Sequence, residues 1–307
     1  MSPLVTPRRL AAWLLLVGLM AGVAAALGVF GRGDGAFETV TSVRGETYRI
    51  ATDGVYANSA LQLVAEGVGW DVFTLLVAVP ALLIAVPFVA RGSFPATLVA
   101  TGGMGYLVYL HLEYAVTWAF GPMFILFVST LAASLVGLLG AAAVLARAGL
   151  ADRFDQRFPR RAWAGLSLGM SLLLVVMWSG RIADALAAAT PVLHGESTMT
   201  VQALDLGLVV PISVVIAVAA LARHPIGLAA AAAFAVTFVM MSAAIAAMMI
   251  SSWMVTGVPA VEPIVVFTLA SVAASILLSR MLASVNDSVS REAAARPRVV
   301  EPYLSSP

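Results

Sequence analysis

Lysine and cysteine are both absent from the 307 residues, and charged residues of every kind make up only 11%. Without lysine there is no Schiff-base residue, hence no retinal pigment, and no lysine for a nucleotide-binding P-loop. Without cysteine there is no disulfide, thiolate nucleophile, thiol-anchored haem or cysteine-ligated cluster. The 17 basic residues are all arginine and are balanced by 16 acids, so the net charge of +1 points to no nucleic-acid partner. G-x-S-x-G and H-E-x-x-H motifs are missing, and the three histidines stand far apart at 111, 194 and 224. No metal signature results, no cofactor is expected, and the balance leans away from an enzyme.

What is present is apolar: 61% hydrophobic residues and a mean hydropathy of +1.00. Such a composition belongs to an integral membrane protein whose first partner is the lipid bilayer. A helix crosses the bilayer in about 20 apolar residues. Eight such runs occur, at 10–30, 69–90, 95–118, 122–146, 162–184, 201–222, 225–252 and 262–283. Pro7-Arg8-Arg9-Leu10 faintly resembles a twin-arginine signal, but the fifth run repeats features of the first, which favours a span. With the N-terminus inside, 13 of the 17 arginines fall on cytoplasmic segments, and only Arg32, Arg44, Arg49 and Arg181 lie outside. Both termini are therefore expected in the cytoplasm.

The runs pair off. Trp13 and Met20 recur as Trp163 and Met170, and Asp71, Arg91 and Pro95 as Asp205, Arg223 and Pro225. Pro122 recurs as Pro263, and Ala132-Ala133-Ser134 as Ala273-Ala274-Ser275. The expected fold is all-α, a polytopic membrane bundle of eight transmembrane helices as two tandem four-helix repeats. Each repeat has an even number of helices, so the two lie in parallel orientation about an axis along the membrane normal. The first repeat is 1–147, with a polar outer loop at 31–68 that ends in an interfacial helix at 58–67. A cytoplasmic linker follows at 148–161, then the second repeat at 162–283 and a disordered cytoplasmic tail at 284–307. The arginines and phenylalanines of the linker suit an anchor near anionic lipid. Gly165-xxx-Gly169 and the alanines of 229–247 suit close helix packing, and Met240, Met241, Met248 and Met249 suit soft core filling.

Ionisable groups inside a bilayer are costly, so their placement is informative. At about 1.5 Å per residue, Asp71 lies about 30 Å from Arg91 and Asp205 about 27 Å from Arg223. His111, Glu113, Arg181, Asp184 and Glu262 fall at the same level. Arg32 is the counterpart of Arg181. Two arginine–aspartate pairs could flank the axis, with His111 and Glu113 between them. That layer could bind an anionic headgroup, a metal, or another small ligand or ion, or support acid–base chemistry. Simpler roles compete. Asp71, Asp205 and Glu262 stand at helix starts, where carboxylates cap N–H groups. Arg181 and Asp184 are three residues apart and can pair with each other. His111 can be a structural hydrogen-bonded residue, and Tyr106, Tyr109, Tyr114, Trp118 and Trp178 belt or packing aromatics.

Asp71-Val-Phe-Thr-Leu-Leu, Gly103-Met-Gly-Tyr-Leu-Val-Tyr-Leu, Pro122-Met-Phe-Ile-Leu-Phe and Asp205-Leu-Gly-Leu-Val-Val-Pro resemble an uncharacterised family of bacterial multi-pass membrane proteins over residues 50–250. The resemblance implies an actinobacterial-type inner-membrane protein and brings no activity. Three functions stay open: a small permease or ligand-binding membrane protein with an outward-facing charged site between the repeats; a non-catalytic accessory subunit, scaffold or sensor with a membrane protein partner; and an outer-leaflet enzyme.

Overall fold

The computed structural model describes residues 5–286. The reading of a disordered tail therefore falls, from residue 287 on, outside the described residues. Eight long helices are present among those residues: α1 (Pro7–Phe30), α2 (Leu61–Ala90), α3 (Phe94–Thr117), α4 (Phe124–Arg147), α5 (Arg160–Ala187), α6 (Thr200–Leu221), α7 (Pro225–Thr256) and α8 (Val261–Ala283). Starts are set by local chemistry. The Thr6 hydroxyl accepts the Arg9 N–H at 3.3 Å ahead of Pro7, and Ser93 accepts the Ala96 N–H at 3.4 Å around Pro95.

Seven of the eight helices are long and apolar enough to cross a membrane; α3 falls short on apolar composition. α3 carries tyrosines, threonines, glycines, His111 and Glu113 among its apolar residues, and most of these are buried. The other helices turn large apolar side chains outward, such as Leu19, Ile84, Leu139, Leu172, Val215 and Leu269. A chain that is apolar outside and polar within is matched to lipid rather than water.

One expectation needs correction here. The segment 58–67 is not a separate interfacial helix; α2 starts at Leu61 and runs 30 residues without a stop. The polar loop ahead of α2 has structure of its own. It folds into an antiparallel hairpin of β1 (Phe37–Thr41) and β2 (Thr47–Ala51), with Phe37 opposite Ala51.

The two halves are wired alike. In each, the first helix packs on the second, the second on the third, and the third on the fourth. Both second helices are broken by a π segment, Thr74–Ala78 in α2 and Asp205–Val209 in α6. Each break is followed by proline, Pro80 and Pro211. A proline lacks an N–H and its ring clashes with the carbonyl four residues back, so the wider π turn absorbs it. The π segments start 131 residues apart, as do the helix ends at Ala90 and Leu221. The corners that follow match as well. Gly92 and Arg223 both take positive φ (80° and 57°), and the next N–H groups, of Ser93 and His224, bond Phe88 O and Ala219 O at 3.0 Å each. At this spacing Asp205 corresponds to Thr74, and Asp71 to Gln202. The expected equivalence of the two aspartates is thus shifted by three residues.

The halves meet mainly through α2 and α3 against α7. The alanine run of α7 supplies the flat surface: Ala231, Ala232, Ala235 and Ala244 are fully buried. Gly69 and Gly102 face backbone atoms of Ala247 and Ala233 so closely that a Cβ would collide. At Gly165 and Gly169, in contrast, a Cβ would meet nothing within 4 Å among the described residues outside the local helix backbone, so neither is a close packing point.

Part of the linker is built into the fold, at Arg153 and Phe158, while Asp152, Asp155, Gln156 and Arg157 stay exposed. Arg153 is only 3% exposed; it donates to Ala148 O and Asn286 O and covers the Phe94 ring at 4.9 Å. Phe154 bridges to Val285. Arg153 is therefore a staple holding the linker to α3 and the end of α8, not a lipid anchor.

Candidate functional site

The expected charged layer divides into two sites and several unconnected residues. The first is closed. Asp71 is 2% exposed and accepts hydrogen bonds from the hydroxyls of Tyr56 and, at 3.1 Å, Tyr114. Tyr56 stacks on Trp118 with ring centroids 3.9 Å apart. Gly28 of α1 lies directly behind, where a Cβ would strike both the Asp71 carboxylate and the Tyr56 hydroxyl. Burial, and then the adjacent Asp71, hold the Tyr56 phenol well above its ordinary value, so it stays a donor.

The second is open. A cavity of about 700 Å³ lies between the halves, walled by α2, α3, α5, α6 and α7. Asp205 stands on its wall, in the first residue of the α6 π segment. Tyr109 of α3 donates to its Oδ1 at 2.5 Å, and the Trp178 indole N–H of α5 donates to its Oδ2 at 2.8 Å. Three more carboxyls share this end: Glu66, Glu113 and Glu196. Glu66 accepts from the Gln62 amide, which also donates to Ser252 Oγ at 2.9 Å and so ties α2 to α7. Glu113 is 4% exposed, faces the cavity and makes no hydrogen bond or ion pair among the described residues. The exposed Arg181 is the one arginine on the lining among the described residues. Below this end the walls turn apolar, with Met170, Met177, Ile212, Phe234, Phe238 and Met241. Met240 is core, whereas Met241, Met248 and Met249 line the chamber.

A clasp from the first half closes over the rim. Glu46, beside the hairpin turn, is buried and accepts the N–H groups of Leu193, His194 and Gly195 at 3.1, 2.8 and 3.3 Å. His194 and Gly195 both have positive φ, which turns their N–H groups into one concavity suited to a carboxylate. Arg44 donates to the carbonyls of Glu196 and Ser197 at 3.2 and 2.7 Å. Burial, then Arg181, lowers the His194 pKa from its ordinary value, and burial raises that of Glu196.

The remaining expected residues fall elsewhere. His111 lies just over half a turn from both Tyr109 and Glu113. It is buried against Tyr114 and Phe127, with Nδ1 2.9 Å from Leu107 O. Arg32, Asp184 and Glu262 are exposed and do not line the cavity. The expected arginine–aspartate pairs are replaced by tyrosine and tryptophan donors, and none of the outer-layer residues forms an ion pair within 4.0 Å among the described residues. The same residues hold no group of three or more Asp, Glu or His side chains disposed to bind a metal.

Gln62, Glu66 and Glu46 escaped sequence reasoning, and Tyr109 and Trp178 were read only as packing or belt aromatics. The i, i+4 spacing of Tyr109 and Glu113 was the available signal, since it puts both on one face. Comparison of the chain with protein-family models, with curated proteins and with solved structures finds no match.

Proposed function

We propose that the chain is a small permease or ligand-binding protein of a bacterial cell membrane. Its site is the chamber between two tandem four-helix repeats in parallel orientation, opening at the outer face. The observation that carries this reading is the depth of the chamber. Its lining on α7 extends from Met249 to Ala230, 19 residues or about 28 Å along a helix, against a hydrocarbon core of about 30 Å. A surface cluster of caps would need no such chamber. The chamber also answers the lack of charge at mid-membrane, because its deeper walls suit the apolar part of a ligand.

The matched π segments, the matched corners and the common packing order support duplication. Placing the linker end inside puts Arg8, Arg9, Arg91, Arg147, Arg153, Arg157, Arg160, Arg161, Arg223 and Arg280 in the cytoplasm, in keeping with the positive-inside rule. The hairpin and its clasp then lie outside, and α3 crosses as an eighth, interior span.

The absence of cysteine gives a clean test. Single substitutions Val43→Cys at the hairpin tip, Met177→Cys in the chamber, and Arg91→Cys and Arg223→Cys at the two corners are labelled in intact cells with a membrane-impermeant maleimide. The proposal expects Val43→Cys and Met177→Cys to react, and both corner variants to react only after permeabilisation. Corner variants that label on opposite sides would end the parallel-repeat reading. A Met177→Cys variant that labels only after permeabilisation would end the outward-facing one.

A further inference from the structure

Resting on the outward-opening chamber, we infer that its ligand class is an amphipathic organic cation: an ammonium or phosphonium centre bound at the acidic end, with an apolar body in the chamber below. Four carboxyls, from Glu66, Glu113, Glu196 and Asp205, meet at one end of the cavity, with Arg181 the one arginine on its lining among the described residues. Such an acidic end disfavours an anionic headgroup and favours a cation.

Acidic residues alone can be a solvated rim, but Glu113 is not on a rim. It is 96% buried, faces the cavity and has no hydrogen-bond or ion-pair partner among the described residues. A buried polar group without a partner is costly, and a cation that gives it a charge-assisted contact removes the cost. Nearby carboxyls do not serve that purpose, because Asp205, Glu66 and Glu196 give Glu113 no hydrogen bond among the described residues. Asp205 is already held in place by Tyr109 and Trp178, so it is pre-positioned for a ligand rather than recruited by one.

The rest of the site suits the rest of such a molecule. Trp70, Tyr109 and Trp178 border the acidic end, where aromatic faces attract a soft, weakly hydrated cation. Methionine, phenylalanine and isoleucine form the deeper walls, and methionine adapts its shape to varied apolar bodies. A small hard metal ion would need several oxygens at close range, and no such cluster is formed among the described residues.

The test uses two ions of nearly the same shape and opposite charge, tetraphenylphosphonium and tetraphenylborate. Binding to the full chain in detergent is measured by equilibrium dialysis, with unlabelled ion as competitor. The inference expects saturable binding of the cation at least tenfold tighter than of the anion. Glu113→Gln should weaken the cation tenfold or more, and Asp205→Asn should act in the same direction. Asp205→Asn disturbs two hydrogen bonds and can perturb folding, whereas Glu113→Gln breaks none. Equal binding of both ions, or full-strength cation binding by Glu113→Gln, would overturn the ligand class. The reading of an outward chamber fails separately, through the Met177→Cys labelling. Labelling of Met177→Cys from outside with no cation binding would leave the chamber standing and remove the cation.

Discussion

Tyr109 and Asp205 join the two halves of the molecule: the phenol of α3 donates to the carboxylate of α6 at 2.5 Å, 96 residues away in sequence. Removing the hydroxyl with Tyr109→Phe leaves Asp205 with Trp178 as its side-chain donor. Asp205 is half-buried on the chamber wall, and the net contribution of such a hydrogen bond is about 0.5–1.5 kcal/mol. Thermal unfolding in detergent should show this loss, and the variant should be strongly non-additive with Asp205→Asn, because both remove one contact.

Asp71 and Asp205 share no hydrogen-bond partner, since one is held by Tyr56 and Tyr114 and the other by Tyr109 and Trp178. Asp71→Asn and Asp205→Asn should therefore lower stability additively, to within about 0.5 kcal/mol. A larger discrepancy in the double variant would mean that the two aspartates belong to one site.

Gly28 marks where α1 must come close to the Asp71 pocket. Gly28→Ala forces a methyl group into the carboxylate and the Tyr56 hydroxyl, and overpacking of this kind costs about 1–3 kcal/mol. Gly165→Ala and Gly169→Ala meet open space and should be neutral or slightly stabilising, because alanine is the better helix former. Melting curves of the three variants side by side test the contrast.

The clasp should govern the loop at 193–198 and leave the bundle alone. Glu46→Ala removes an acceptor from three N–H groups, and Arg44→Ala removes a donor to two carbonyls. Amide hydrogen exchange at 193–198 should rise at least tenfold in either variant, with exchange in α3 and α7 unchanged. Unchanged loop exchange would mean that the hairpin does not hold the rim.

His194 imposes a pH dependence whose sign follows from its burial. Its pKa is lowered from 6.5. Between that value and the lower folded one, the unfolded chain binds the extra proton and the folded chain does not. Stability is therefore fully present above about pH 6.5 and falls as the pH drops below it. His194→Asn, which keeps a residue tolerant of positive φ, should flatten this part of the acid slope in melts from pH 7.5 to 5. A slope unchanged by the substitution would assign it to other groups.

Much of the fold was legible because a bilayer punctuates sequence with polar ends and prolines. Each apolar run became a helix, and Pro95 and Pro225 stand at or next to the starts of α3 and α7. The chief exception was physical: α2 begins eight residues before its run does, since a helix needs no apolar character where it leaves the hydrocarbon, and Gln62 and Glu66 sit in that overhang. The hairpin was hidden because five-residue strands in a polar segment give little periodic signal. His111 and Glu113 looked like one site by spacing along the chain, whereas the helical turn sends them to opposite sides. Asp71 and Asp205 both open apolar runs, but three residues of offset and different aromatic neighbours close one and expose the other. Neighbours across the bundle are what composition and spacing do not encode.

The central claim is a chamber between the halves, and a cysteine scan of α7 from Met249 to Ala230 tests it most directly. The lining positions Met249, Ile245, Ser242, Phe238, Phe234 and Ala230 recur every three or four residues, while Ala231, Ala235 and Ala244 are packed away. Each position is replaced singly by cysteine and exposed to an impermeant maleimide on the hairpin side. The account predicts labelling along the stripe, slowing with depth, and none at the packed positions. A stripe that stays unlabelled while Val43→Cys reacts would contradict it.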